Sequence, residues 1–144
     1  MKPIRFIPLL TVICLIYVLT FQPSTGSVEL SEGFRQFFMQ LFKIDSAGNV
    51  PRWAVDGHWF RTLMHIPEYL LLGTAVAIAF DNKKLCMGIC AAIGLLDELI
   101  KIWLPGREFD PVDLGFDIIG AAAGIAFVGI IVLIIHRSRR TVKH

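Results

Sequence analysis

Charged side chains are scarce in this sequence. They make up 18% of its 144 residues, whereas apolar residues make up 55% and the mean hydropathy is +0.64. This balance excludes an ordinary soluble domain. Several apolar runs instead approach the roughly 20 residues that a helix needs to cross a bilayer. The composition therefore predicts an integral membrane protein.

Motifs for cofactor or metal chemistry are also missing. The three cysteines, Cys14, Cys86 and Cys90, lie in apolar segments and show neither metal-ligand spacing nor a disulfide framework. Cys86 and Cys90 are four residues apart, which places them on one helix face as small packing residues. There is no glycine-rich phosphate loop, and no serine is placed beside His65 for a Ser–His–Asp arrangement. We therefore predict no cofactor.

The apolar runs predict an all-α integral membrane protein with four transmembrane helices in one bundle. The spans are expected at about residues 6–22, 61–80, 85–104 and 112–135 of a single domain that covers residues 1–144. The first run follows Lys2 and Arg5, so a cleaved signal peptide is the alternative. Its length and the weak cleavage site after it favour a retained helix.

A short amphipathic helix is predicted in the polar connection between the first two spans. Its apolar residues recur at helical spacing and are Phe34, Phe37, Phe38, Leu41 and Phe42. The segment is too short to span a bilayer. We expect it to lie on the membrane surface or to cap the bundle.

Basic residues predict the orientation of the four spans. They occur at the amino end (Lys2 and Arg5), in the short loop at Lys83 and Lys84, and in the carboxyl-terminal tail. By the positive-inside rule all three sites are cytoplasmic, so both termini are cytoplasmic. A basic tail could also bind nucleic acid, but beside so long an apolar run it marks the membrane face, and no nucleic-acid partner is predicted.

Ionisable residues from three predicted spans reach a similar depth beneath the outer surface. At about 1.5 Å per residue, Glu68 and Glu98 lie roughly 10 Å and Asp117 roughly 7 Å from the outer ends of their spans. A charge at the centre of a span costs about 2.5–3.5 kcal/mol on insertion scales, so such groups form either a structural network or a site. The group comprises His65, Glu68, Asp97, Glu98, Lys101, Asp113 and Asp117.

Spacing predicts which way the acids of the fourth span point. Asp113 and Asp117 are four residues apart, and Gly120 and Gly124 continue the same stripe. Small residues four apart let a neighbouring helix approach closely. The acidic face is therefore expected to be the packing face, directed into the bundle.

Two segments, "HIPEYLLLGTAVA" and "LLDELIKIWLPGREFDPVDLGFDIIGAAAG", together resemble the VanZ family of small bacterial membrane proteins. The resemblance covers roughly residues 61–125. One departure is that Ile100 and Lys101 stand where the family often has a His-Gln pair. The matching residues are His65, Glu68, Tyr69, Leu72, Gly73, Asp97, Glu98, Pro105, Gly106, Arg107, Asp113, Asp117 and Gly120.

The resemblance implies a multi-pass protein of the bacterial cytoplasmic membrane, linked to low-level teicoplanin resistance. A first hypothesis is that an outward-facing pocket binds a lipid headgroup or cell-wall precursor. A second is an intramembrane enzyme acting on such a lipid, with His65, Glu68 and Glu98 as candidate acid–base groups. A third is a structural or regulatory membrane partner without a ligand.

The ligand-binding candidates form one expected electrostatic unit at the outer mouth of the bundle. Proline and glycine at 105 and 106 end the third span and aim the next side chain back over that mouth. Acidic ligands for a metal are present nearby, but their spacing matches no familiar motif, so no metal is predicted. The binding candidates are Arg107, Glu98, Lys101, Asp113 and Asp117.

The predicted topology can be tested by labelling single cysteines in a background that lacks the three native ones. We expect Asn49→Cys to react with a membrane-impermeant maleimide in intact cells, and Lys83→Cys to react only after permeabilisation. Labelling of position 83 from outside would show that the orientation is wrong.

Overall fold

The computed structural model describes residues 3–22, 24–44 and 56–141, and every regular element in these ranges is helical. The all-α prediction is confirmed for this part of the chain. A short 3₁₀ turn, Pro3–Phe6, leads into the first helix. The helices are α1 (Ile7–Thr20), α2 (Ser24–Leu41), α3 (Gly57–Ala79), α4 (Lys83–Lys101) and α5 (Pro111–Thr141).

Among the described residues, three stretches are long and apolar enough to cross a membrane: Pro3–Thr20, Gly57–Ala79 and Pro111–Arg139. These coincide with the predicted first, second and fourth spans. The predicted third span, α4, is 19 residues long but is too highly charged to join them. Its charged residues are Lys83, Lys84, Asp97, Glu98 and Lys101. A fourth crossing therefore stays a prediction.

Two helices extend further than the sequence pattern indicates. The helix α2 begins at Ser24, ten residues before Phe34, because no proline interrupts the chain between Pro23 and Pro51. The helix α5 continues past Ile135 to Thr141. Its arginines favour helix, and neither glycine nor proline stops it there.

The predicted aromatic stripe lies at the carboxyl-terminal end of α2. Phe34, Phe37 and Leu41 are exposed, and Phe42 is also exposed just after the helix ends. Phe38 packs against Phe60 of α3, with ring centroids 6.0 Å apart. That contact attaches α2 to the bundle, and the position of α2 at the membrane surface stays a prediction.

Contacts at one end of the bundle fix the relative direction of the helices. The Arg5 guanidinium donates to the Ile78 carbonyl oxygen at 2.9 Å and lies 3.2 Å from an Asp81 carboxylate oxygen. The rings of Phe6 and Phe80 meet edge to face. The amino-terminal turn and the loop between α3 and α4 therefore lie at the same end. The opposite end holds the carboxyl termini of α1 and α4 and the start of α3 and α5.

The helices α3 and α5 share the largest interface and approach at glycines. A Cβ atom added at Gly120 would lie 2.4 Å from the Ile66 carbonyl oxygen, and one at Gly124 would lie 2.2 Å from that of Leu70. Gly73 of α3 meets the Ala121 backbone in the same way, at 2.2 Å. The glycine stripe of α5 is thus a packing face, which places the first turns of α3 and α5 side by side.

Capping residues and a turn fix the helix ends near the predicted site. Asp56 precedes α3, and its side chain accepts a hydrogen bond from the His58 amide at 3.0 Å. After α4 the chain reverses at Gly106, whose φ of 72° is in the left-handed region that glycine adopts without strain. This turn positions Arg107.

The tight α3–α5 interface predicts different effects of alanine at two glycines of α5. We expect Gly124→Ala to lower stability by about 1–3 kcal/mol or more, because the new methyl group overlaps the α3 backbone. Gly115→Ala is the matched control, since a Cβ atom there meets nothing within 4 Å. Thermal unfolding of the detergent-solubilised proteins measures both. Equal melting temperatures for the two variants would contradict the close approach.

Candidate functional site

Charged side chains from α3, α4 and α5 meet inside the bundle, near the end where α3 and α5 begin. The exposed fraction is 0% for Glu98, 1% for Asp117, 3% for Asp97, 5% for Asp113 and 7% for Lys101. Charges this deeply buried require partners, because desolvation is expensive. With His65 they form the buried charge cluster, which comprises His65, Asp97, Glu98, Lys101, Asp113 and Asp117.

The imidazole of His65 is held between the two acids of α5. Its Nδ1 lies 2.8 Å from Asp117 Oδ1, and its Nε2 lies 3.4 Å from Asp113 Oδ2. The acids are one helical turn apart, so a single ring on α3 can reach both. A doubly protonated imidazole would donate one N–H to each carboxylate.

Lys101 connects the acids of α4 and α5. Its ammonium group hydrogen-bonds to Glu98 and lies 3.6 Å from carboxylate oxygens of both Asp97 and Asp113. The sequence spacing predicts a pair with either acid of α4. The structure has Lys101 facing both of them and a third acid from α5.

Two bonds tie the cluster to neighbouring segments, and sequence reasoning missed both. The Thr20 hydroxyl at the end of α1 donates to Asp97. Glu98 Oε2 accepts from the Asp110 amide at 3.0 Å, which attaches the loop before α5 to α4. The only sequence signal for Thr20 is a polar residue closing the first apolar run. Glu98 therefore positions a loop as well as a lysine.

A cavity of about 920 Å³ lies above the cluster, between α1, α2, α3 and the loop from α4 to α5. Six ionisable residues that the sequence pattern singles out line it, namely His65, Glu68, Asp97, Lys101, Arg107 and Asp113. Glu98 and Asp117 are not in its lining. They lie behind it and hold residues that are.

The cavity wall changes from charged to apolar. Besides the charged residues, side chains from α1, α2 and α3 contribute hydrocarbon surface. These are Leu15, Leu19, Leu30, Phe34, Met64 and Leu71. The cavity can thus contact both the polar and the apolar part of one molecule.

Arg107 reaches the cavity as the turn predicts, but its hydrogen-bond partner differs from the predicted acids. Its guanidinium donates to the Leu19 carbonyl oxygen of α1, at 3.5 Å. Burial lowers the pKa of Arg107, and repulsion from the nearby Arg61 also lowers it. Arg61 lines the same cavity and is a second residue that sequence reasoning missed.

Three cluster residues could offer ligand atoms to a metal ion. Atoms of His65, Glu98 and Asp113 lie within 4.8 Å of one another. The Lys101 ammonium, however, bonds to Glu98 and lies 3.6 Å from Asp113. A positive charge of the chain itself therefore already contacts two of the three ligands. The absence of a metal stays a prediction.

One known protein family matches nearly all of the helical part of the chain. The family model described as VanZ/LLP1 matches residues 7–134. The chain belongs to the VanZ/LLP1 family. No curated protein and no solved structure matches it significantly. The match includes α1 and α2, which lie outside the VanZ resemblance of residues 61–125, and so it includes every helix that borders the cavity.

The charged residues of the VanZ-like motif gather at one end of this VanZ/LLP1 bundle. His65 and Asp117 contact each other directly, as do Glu98 and Lys101. Lys101 is one of the two positions, with Ile100, at which the sequence departs from the His-Gln pair of the VanZ resemblance. The departure adds a fixed positive charge at the centre of the cluster.

The position of Lys101 predicts how the protein responds to divalent cations. We expect Lys101→Met to lose about 3–5 kcal/mol of stability, because acids lose a buried partner. Co²⁺ should restore part of that stability by binding His65, Glu98 and Asp113. At a Co²⁺ concentration 100 times its dissociation constant, the expected gain in the free energy of unfolding is about 2.7 kcal/mol. Melting temperatures with and without Co²⁺ measure this. The wild type and Lys84→Met serve as controls. If Co²⁺ raises their melting temperatures as much as that of Lys101→Met, Lys101 does not occupy the place of a metal ion.

Proposed function

We propose that this VanZ/LLP1 protein is a single-domain, four-span protein of the bacterial cytoplasmic membrane with both termini cytoplasmic. The basic residues support this orientation. Arg5 lies beside Asp81, and the Lys83 ammonium lies next to Gly129 of α5, at the end away from the cavity. In this arrangement α4 is the third of the four spans, with Asp97, Glu98 and Lys101 directed into the bundle, and the cavity opens on the outer side.

The function we propose is binding of an envelope lipid or cell-wall precursor, which changes teicoplanin susceptibility. The cavity that joins a charged end to an apolar wall carries this proposal. Its volume of about 920 Å³ is at the upper end of the range for small-molecule sites. A headgroup would meet the charged end, and a hydrocarbon chain would lie along α1, α2 and α3.

Within this proposal the charged residues have two roles. Arg107, Lys101 and Asp113 line the cavity and would contact the headgroup. Glu98 and Asp117 would hold the contacting residues in place through Lys101 and His65.

An enzyme acting on the same ligand is the second candidate, and the position of Glu68 favours it. Glu68 lines the cavity, and the hydrogen bonds and ion pairs of the described residues leave it without a partner. The other two candidate acid–base groups are already engaged, His65 by two acids and Glu98 by Lys101 and a backbone amide. Glu68 would then be the proton-transferring group.

Blocking the cavity from α2 tests the binding function. We expect Ser27→Trp, whose side chain would enter the cavity, to abolish co-purification of a specific lipid and any effect on teicoplanin susceptibility. Val28→Trp is the matched control, because Val28 is 50% exposed and does not line the cavity. Mass spectrometry of extracted lipids, with melting temperatures as a folding check, measures the outcome.

Three outcomes separate the candidates. Loss of the bound lipid in Ser27→Trp alone supports binding. A new lipid mass that accumulates with the wild type and disappears in Glu68→Gln supports an enzyme. Equal lipid content and equal susceptibility in both tryptophan variants contradict both candidates and leave the charges a structural role.

A further inference from the structure

Two arginines from different elements line the same cavity. Arg61 is on the first turns of α3, and Arg107 is on the turn after α4. Neither has a carboxylate partner in the ranges that the structure describes, where the only bond of Arg107 is to a carbonyl oxygen. Two positive groups held in one cavity repel each other, and an anion between them would relieve that repulsion.

The acids near the arginines are already used by other groups. Asp113 faces His65 and Lys101, and Asp97 accepts from Thr20. Glu98 lies behind the cavity lining with Lys101. These acids thus pair with Thr20, His65 and Lys101, and within the described ranges no carboxylate lies at ion-pair distance from either guanidinium group.

The chemistry of the arginines selects the type of anion. A guanidinium group presents a planar fork of N–H donors that matches phosphate oxygens, and it stays protonated even when partly buried. Apolar residues adjoin both arginines, since Leu19 accepts the Arg107 bond and Met64 follows Arg61 by one turn of α3. The anion is therefore expected to carry a hydrocarbon portion.

We propose that Arg61 and Arg107 together bind the phosphate group of an amphiphile whose acyl chain lies along the apolar wall of the cavity. This rests on the proposed binding function and narrows it to phosphate-bearing amphiphiles. It also gives Arg61 a binding role equal to that of Arg107.

Three probes of matched chemistry test the assignment by native mass spectrometry in a maltoside detergent, which contains no phosphate. They are 1-oleoyl lysophosphatidic acid, monoolein, which is the same molecule without phosphate, and inorganic phosphate. The full-length wild type is compared with Arg61→Gln, Arg107→Gln and their double variant. Arg139→Gln, which removes an exposed charge at the far end of α5, is the control. Melting temperatures check folding, and Arg→Lys variants keep the charge without the fork.

We expect the wild type to bind lysophosphatidic acid about a hundredfold more tightly than monoolein, because two charged hydrogen-bonding groups each contribute about tenfold. Each Arg→Gln substitution should weaken that binding about tenfold, as expected for loss of a hydrogen bond to a charged group. The double variant should bind both amphiphiles equally, and monoolein affinity should not change. Arg61→Lys and Arg107→Lys should also weaken binding, while Arg139→Gln should not.

Different results would overturn the phosphate assignment and the proposed binding function. If monoolein binds as tightly as lysophosphatidic acid, or if the arginine variants match Arg139→Gln, the phosphate assignment is overturned while cavity binding stands. If inorganic phosphate binds as tightly as lysophosphatidic acid, the amphiphile assignment is overturned. If Ser27→Trp leaves binding of both amphiphiles unchanged, the cavity is not the site and the proposed function fails as well.

Discussion

The close approach of α3 and α5 is the constraint on which the rest of the structure depends. Because Gly120 and Gly124 bring the two backbones into contact, the preceding turn of α5 has to face α3. That turn carries the two acids that bracket His65. Larger residues at these glycine positions would separate the helices, and His65 would then lose its contacts with Asp113 and Asp117.

Buried charge explains why α4 differs from the other helices. It brings Asp97, Glu98 and Lys101 to one end, all of them nearly inaccessible to solvent. Such groups are tolerated inside a membrane protein only where they pair or meet water. The helix is therefore stable in its position only together with α1, α3 and α5, which supply or cover the partners of its charges.

The sequence predicts the helices and the direction of the acids, but not every partner. Hydrophobic runs identify α1, α3 and α5, and the spacing of Asp113, Asp117 and the glycines identifies a packing face. Thr20 and Arg61 could not be predicted, because their relation to the cluster and the cavity depends on distant parts of the chain. The length of α2 was underestimated because its first turns lack an apolar stripe.

Lys101 gives the cluster a property that a dissolved ion could not. A cation covalently attached to the chain is present in a fixed one-to-one ratio from the moment of synthesis, and no chelator can remove it. The positive charge beside Glu98 and Asp113 is therefore present whatever the ion concentrations on either side of the membrane. A relative with an uncharged side chain at this position would hold the same acids with one fewer positive charge of its own.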